Sequence, residues 1–469
     1  MLNKTDEKVR FLRLFRYLKA QPFDCATPEG RASERYRLAA WAVVANVSSK
    51  GAALAVMAFS ISLTLPYLGT QRFGVWMTIA SFSGMLSFLG LGVGNALTNL
   101  VASRSVARPQ EVQRVITGGL GLLFLIGLVV ALNLYVLVDF LPWDRIVKAG
   151  EPELLRQAQQ AAKIFALLFG LNLFTTGIQS VFAGLQRTFE VHLVNTIGSL
   201  LALVCLWLAS EAHAGLGLLL LSTLGVQTFV TLGLMFLLVR RQLFTIAQLA
   251  PAIRFESRGL LRSGGLFFVL QIGTMVGWGA DALIISSTLG ATSVAVFSVV
   301  TRLFQLVSQP LAMMNAPLWG AYADAYSKGD VGFIKKTLKA SFLLTFIIAS
   351  LAGVILYLLG PWLLAVWTGG LIVAPDYLLA AFAVWTVIDC CGGALGMFLN
   401  GMNIVKQQVL VVVLFCLLVL PLKIVGAAQF GVIAIPVVAI LAYALTHGLL
   451  YGVVFLPHIK SKFIAEPLA

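Results

Sequence analysis

Residues 341–360 read SFLLTFIIASLAGVILYLLG, twenty positions without a charge or a proline. A helix rises about 1.5 Å per residue, so a stretch of this length covers about 30 Å, the thickness of a bilayer's hydrocarbon core. Comparable stretches recur along the whole 469-residue chain, which is 59% hydrophobic and only 11% charged. An ordinary soluble domain carries roughly 25% charged residues and cannot bury so much apolar surface. In hydrocarbon every backbone N–H and C=O must be paired within the structure, so a spanning chain is either helical or a closed barrel. Barrel strands alternate apolar and polar residues. The stretches here are continuous instead, and they predict helices.

Twelve spans can be drawn, at 38–66, 73–101, 113–138, 155–184, 189–209, 215–239, 262–289, 293–321, 333–359, 377–401, 405–427 and 431–456. An even count places both termini on one side, and the distribution of Lys and Arg says which. The segments on the side of the termini hold 25 of the 33 basic residues. The opposite side holds Arg72, Arg145, Lys148, Arg156 and Lys423, which leaves Lys50, Lys163 and Arg302 inside spans. Both termini are therefore expected in the cytoplasm. The net charge of +14 is explained by cytoplasmic loops facing anionic lipid, and no nucleic acid partner is needed to account for it. Residues 1–37 are polar and basic and lack a short apolar region ending at a cleavage site, so the first span is expected to act as the targeting signal. Within that segment Val9 to Lys19 sorts its apolar groups and arginines onto opposite helical faces, the pattern of an interfacial helix on anionic lipid.

The longest polar connection, Arg240 to Arg262, divides the spans into two sets of six that resemble each other. Leu68-Gly69 matches Leu289-Gly290, and Pro142-Trp143 matches Pro361-Trp362. Ala183-Gly184 matches Asn400-Gly401, and Gly215 matches Gly431; the offsets drift slowly through 221, 219, 217 and 216. Repeats separated by six spans have the same topology and are related by an axis along the membrane normal. The expected fold is thus an all-α polytopic membrane protein with about twelve transmembrane helices in two six-helix, pseudo-symmetric lobes around a central cavity. Its divisions are a basic cytoplasmic segment with the interfacial helix (1–37), an N-lobe (38–239), a cytoplasmic linker (240–261), a C-lobe (262–456) and a cytoplasmic tail (457–469). Two lobes enclosing a cavity suit alternating access.

Charges inside spans are costly, about 2.5 to 3.5 kcal/mol each on insertion scales, and usually face an interior. Lys50 lies mid-span about 18 Å from Arg37, too far to snorkel, with Asn46, Ser48 and Ser49 beside it. Arg302 lies in span 8 near Gln305, Ser308 and Gln309, while Asp281 and Asp389 lie in spans 7 and 10. One reading makes Lys50 and Arg302 cavity-facing cations, one per lobe, that hold an anionic head group such as a pyrophosphate with help from Asn46 and Gln305. The other pairs Lys50 or Arg302 with Asp281 across the lobe interface as a structural ion pair. Asp389, which aligns with Asn172 of the first half, is a site either for a coupling Na+ or H+ or for packing.

Other features are read as structural. Pro66, Pro310 and Pro317 predict kinks, and Gly90 with Gly94 permits close helix contact. Trp143, Trp362 and Trp367 fall at predicted outer boundaries, where aromatic belts anchor helices. Cys25, Cys205, Cys390, Cys391 and Cys416 show no metal-ligand spacing, the four histidines are scattered, and neither a P-loop nor H-E-x-x-H nor G-x-S-x-G is present. No metal, resident cofactor or enzymatic activity is expected.

Tyr67-Leu68-Gly69 with Phe73-Gly74-Val75-Trp76, then Phe88-Leu89-Gly90-Leu91-Gly92-Val93-Gly94-Asn95, resembles polysaccharide and O-antigen flippases of the multidrug/oligosaccharidyl-lipid/polysaccharide exporter superfamily. Asp281-Ala282-Leu283-Ile284-Ile285 and Pro317-Leu318-Trp319-Gly320-Ala321-Tyr322 are similar to the same family's seventh and eighth helices. The resemblance covers most of Ala39 to Asp330. It implies translocation of an undecaprenyl-pyrophosphate-linked oligosaccharide from the cytoplasmic to the outer leaflet of a bacterial inner membrane. Membrane lipids are then partners, and other polysaccharide-assembly proteins are candidate ones. In related lipid II flippases arginines on the first and eighth helices handle the pyrophosphate; Arg302 falls on the corresponding helix, and Lys50 replaces arginine on the other. Two alternatives stay open. One is a cation-coupled multidrug or metabolite antiporter of the same superfamily, and the other a membrane glycan polymerase or ligase. A major-facilitator carrier is disfavoured, because Ser103 to Pro109 lacks that family's G-x-x-x-D-R pattern.

Overall fold

The computed structural model describes residues 28–85, 90, 92–104, 109–147, 152–185, 187–262, 279–316, 318–327, 329–402 and 404–448. These are helical almost throughout, with no strand among the described residues. The expected interfacial helix at Val9 to Lys19, Cys25, the first part of span 7 and the tail 457–469 lie outside them.

In the first bundle, α1 (Pro28–Met85) is followed by α2 (Val93–Arg104), α3 (Pro109–Leu137), α4 (Pro152–Gly184), α5 (Thr188–Glu211) and α6 (Leu216–Arg240). In α6 the run Leu221–Gly225 forms a π turn. A connecting helix, α7 (249–262), leads to α8 (Asp281–Leu289), α9 (Ala291–Asn315), α10 (Leu318–Ser327) and α11 (Val331–Thr368). The second bundle ends with α12 (Asp376–Gly401), α13 (Val405–Phe430) and α14 (Ala434–Tyr443). Nine helical stretches among the described residues are long and apolar enough to cross a membrane. Two of these are double: Val44–Ser83 runs through Gly69 and takes in spans 1 and 2, and Gln407–Gly448 runs through Gly431 and takes in spans 11 and 12. With span 7 described only from residue 279, the count is consistent with twelve.

The repeat is visible in the backbone. Gly69 has φ 69° and ψ 172°, and Gly290 has φ 90° and ψ 171°. A positive φ with an extended ψ is open to glycine and nearly closed to other residues, so both corners require it. Each corner ends one helix and redirects the chain into the next. The other landmarks agree less well. Gly431 has φ 75° where Gly215 has φ −69°, and Pro361 lies inside α11 where Pro142 precedes a short helical turn, Trp143–Val147.

The two corners meet. A Cβ on Gly74 would lie 1.7 Å from the carbonyl oxygen of Ala291, so the second arm of α1 touches the start of α9 backbone to backbone. At the same end Trp367 of α11 donates its indole N–H to the Ala58 carbonyl at 2.6 Å, and Ser62 donates to the Trp367 carbonyl at 3.0 Å. Ser286 donates to the Ile146 carbonyl. Buried residues of both bundles, among them Ile61, Leu65, Trp76, Val299 and Phe304, form one continuous core beneath these contacts. Toward the start of α1, Val44 and Val47 are exposed.

Several local expectations change. Span 2 is not one uninterrupted α-helix: Gly90 has 3-10 geometry and Gly92 has φ 65°, just before the helix that begins at Val93. A run of three glycines at every second position, Gly90, Gly92 and Gly94, weakens the helix there. Gly94 does provide a close approach, to Ser180 of α4. The first arm of α1 continues through Pro66 to the Gly69 corner. Trp143 does not belong to an aromatic belt: it is 4% exposed and donates to the Val138 carbonyl at 2.8 Å. Trp367 is committed to α1, while Trp362 is exposed at 62%. The linker is docked on the first bundle, with Glu256 of α7 accepting from Arg114 at 3.1 Å and the α7 backbone passing close to Gly118.

Gly74→Val places a branched side chain against a carbonyl that no rotamer change can avoid. It is expected to lower the thermal midpoint of the purified protein, at a cost of about 1–3 kcal/mol or more. Gly233→Ala, where an added Cβ meets nothing within 4 Å, is expected to melt no lower than the parent in the same assay.

Candidate functional site

The duplication brings four positions to one place. With the corner offset of 221, Ser60 is equivalent to Asp281 and Ser81 to Arg302. Arg302, one helical face along α9 with Ser298, Gln305 and Gln309, reaches back to α1. Its Nη1 donates to the Ser60 hydroxyl at 3.0 Å and toward the Met57 carbonyl at 3.5 Å. Arg302, Gln305, Asp281, Asp389 and Ser81 line one cavity of about 500 Å3. Ser81 and Met77 supply the wall from the first bundle, and α8, α9 and α12 supply the remainder. Residues after Gly69 thus line the cavity, while Ser60 and Met57, before it, accept from the arginine that faces it.

Of the residues singled out from sequence, Arg302, Gln305, Asp281 and Asp389 come together, whereas Lys50 and Asn46 do not line this cavity. Lys50 is exposed on α1, ten residues and about 15 Å before Ser60. Its spacing from Asn46, Met57 and Ser60 puts all four on one face of the helix, the face that meets Arg302.

The interlobe ion pair considered for Asp281 is not formed with Arg302 or Lys50. Asp281 Oδ1 instead takes Lys423 Nζ at 2.6 Å, from α13 of its own bundle. Lys423 is 2% exposed and Asp281 21%. Lys423, placed from sequence among the basic residues outside the spans, is instead a buried, paired residue within α13. Lys423 falls within span 11 as drawn at 405–427, and the expectation that an intramembrane charge has a partner applies to it directly. Lys163 is similarly paired, with Asp139 at 2.7 Å and over the Tyr135 ring at 5.0 Å. Asp389 is partly buried on α12 and has no hydrogen-bond or ion-pair partner among the described residues. No group of three His, Cys, Asp or Glu that would hold a metal occurs among the described residues.

Chemically, the cavity presents a guanidinium with five donors, of which the contacts to α1 occupy only one nitrogen. Gln305, Ser308 and Thr301 add neutral hydrogen-bonding groups, and the Asp281 charge is already compensated by Lys423. Such a wall suits an anion held by Arg302, with Asp389 left to take a cation. Lys423→Met leaves Asp281 uncompensated and is expected to destabilise the protein by on the order of 3 kcal/mol, read as a fall in thermal midpoint. The double substitution Lys423→Met with Asp281→Asn is expected to recover most of that loss.

Comparison with known proteins identifies the family and the fold. A family described as polysaccharide biosynthesis proteins matches residues 38–318. A protein of Yersinia pseudotuberculosis described as an O-antigen export protein is 21% identical over 384 residues, covering 80% of this chain and 86% of its own. Among solved structures, the lipid II flippase MurJ in an inward closed conformation superposes with a TM-score of 0.68 at 13% identity, covering 88% of this chain and 87% of that one. An inward-facing multidrug resistance MATE family transporter of the MOP superfamily superposes with a TM-score of 0.67 at 16% identity, covering 84% and 94%. The chain shares the fold of these two transporters, and it belongs to the polysaccharide biosynthesis protein family.

Proposed function

We propose that this protein is a flippase that carries an undecaprenyl-pyrophosphate-linked oligosaccharide from the cytoplasmic to the outer leaflet of a bacterial inner membrane by alternating access. The observation that carries the reading is Arg302, a cation on α9 that faces the cavity while holding the Ser60 hydroxyl of α1. A pyrophosphate binds a guanidinium through charge-assisted, bidentate contacts that a neutral hydroxyl cannot match. Substrate therefore competes with Ser60 for Arg302, and its arrival loosens one of the bonds between the lobes. Gln305 hydrogen-bonds the head group. Lys50 and Asn46, on the same face of α1 nearer its start, form an outlying station for the anion on the cytoplasmic side, where the basic segments lie. The glycan itself needs room that opens only as the lobes separate.

The lobes of this reading are residues 38–239 and 262–456, with the linker 240–261 between them, and both termini are cytoplasmic, as the basic residues indicate. Asp389 takes the coupling Na+ or H+, which also offsets its charge beside a bound anion. A second reading is favoured by that same carboxylate: a partly buried acid without a partner is what an antiporter of organic cations would use.

The experiment is reconstitution of the purified chain in liposomes with a fluorescent lipid-pyrophosphate glycan, scoring its exposure on the opposite leaflet. Arg302→Ala is expected to slow exposure about tenfold or more, the loss of one charge-assisted contact, and Arg302→Lys to retain part of the rate. Unchanged transport by Arg302→Ala removes Arg302 from the mechanism. Transport of organic cations with none of the lipid glycan overturns the flippase reading in favour of the antiporter.

A further inference from the structure

The polar cavity has a neighbour of opposite character. A chamber of about 890 Å3 lies inside the second bundle, lined almost wholly by carbon from α9, α11, α12, α13 and α14. The two spaces share Ser308 and Asp389 as lining residues, so they adjoin at the middle of α12. From there the chamber extends toward Lys335 and Gln408, near the starts of α11 and α13, at the end of the bundle away from the glycine corners.

Its wall on α12 combines apolar side chains such as Ile388 and Leu395 with Gly392, Gly393 and Gly396. Gly393 and Gly396 face open space, since an added Cβ at either meets nothing within 4 Å. At the offset of 217 that relates α12 to α4, Gly392, Gly393 and Gly396 correspond to Thr175, Thr176 and Gln179. Gly392 is packed, since a Cβ there would run into the Tyr443 hydroxyl, so the open faces are those of Gly393 and Gly396. Glycine in mid-helix lowers helix stability, and an empty space gives up packing contacts. Both losses are unexplained by the fold.

We propose that this chamber receives the hydrocarbon chain of the lipid-linked substrate next to its pyrophosphate, while the pyrophosphate itself occupies the polar cavity at Arg302. The assignment rests on the head-group reading above and names where the rest of the lipid goes. A lipid tail gains little by leaving the bilayer for a protein interior, because the bilayer is as apolar as the side chains. What the chamber does is remove a penalty. A head group drawn to the middle of the protein drags the first part of its chain after it, and without an apolar recess that part would lie in a polar, hydrated cavity. A chamber that adjoins the polar site and runs to the cytoplasmic end also matches a lipid entering from the inner leaflet.

The test measures equilibrium binding of three probes to the full chain in nanodiscs: inorganic pyrophosphate, geranyl pyrophosphate and undecaprenyl pyrophosphate. Parent, Gly393→Phe, Gly396→Phe and Arg302→Ala proteins are compared in the same lipid, so that partitioning of the long chain into the disc cancels between them. The parent is expected to prefer the undecaprenyl over the geranyl probe, and the phenylalanine variants to lose roughly tenfold of that preference while binding inorganic pyrophosphate as the parent does. A preference that persists undiminished in both phenylalanine variants overturns the chamber. Inorganic pyrophosphate that binds Arg302→Ala as well as the parent overturns the head-group site instead and leaves the chain-length comparison standing on its own. Gly396→Leu, a smaller plug, supplies the same comparison if a phenylalanine variant fails to fold.

Discussion

The lobes are held together where two backbones come closer than any side chain would permit. Gly74 lies against the carbonyl of Ala291, just beyond two glycine corners whose torsions are nearly the same. In hydrocarbon there is little hydrophobic drive between helices, so association depends on close packing and on hydrogen bonds across the contact. Small residues at the corner provide the first, and Trp367, Ser62 and Arg302 provide the second. Among the described residues these contacts run from the glycine corners to Arg302, and the polar cavity opens beside that arginine.

Duplication explains where the charges stand. Each repeat contributes one position before its corner and one after it: Ser81, Asp281 and Arg302 line the cavity, and Ser60 accepts from Arg302. In the first repeat these are serines, and in the second they are Asp281 and Arg302. The asymmetry of the site is thus a divergence of one copy. The acid was matched by Lys423 from a neighbouring helix, and the base was left reaching across to the serine of the other copy. The same divergence shows in α12, where glycines stand in place of two threonines and a glutamine. The charged side chains of the cavity and the apolar hollow both come from the second repeat, while the first adds Met77, Ala80 and Ser81 to the cavity wall.

Much of this was legible in the chain. Composition and the length of stretches such as 341–360 determine a helical membrane protein, because hydrocarbon leaves the backbone no other way to satisfy its hydrogen bonds. The recurrence of Leu-Gly at 68–69 and 289–290 identifies the repeat, and the scarcity of charge inside spans isolates Arg302, Asp281 and Asp389 as residues worth locating. Those signals are local or periodic, and they survive without knowledge of what packs against what.

Partnership was not legible. Asp281 was read against Lys50 and Arg302, and it pairs with Lys423, 142 residues along the chain. Trp143 and Trp367 look like boundary anchors by position, but one is buried beside the Val138 carbonyl and the other is tied to α1. Lys50 shares a helical face with Ser60 but stands apart from the cavity. The sequence by itself determined the helices, their repeat and which residues are too polar to face lipid. Only the tertiary structure decided which of those residues meet, because side chains a few ångströms apart are set by the packing of helices distant in sequence.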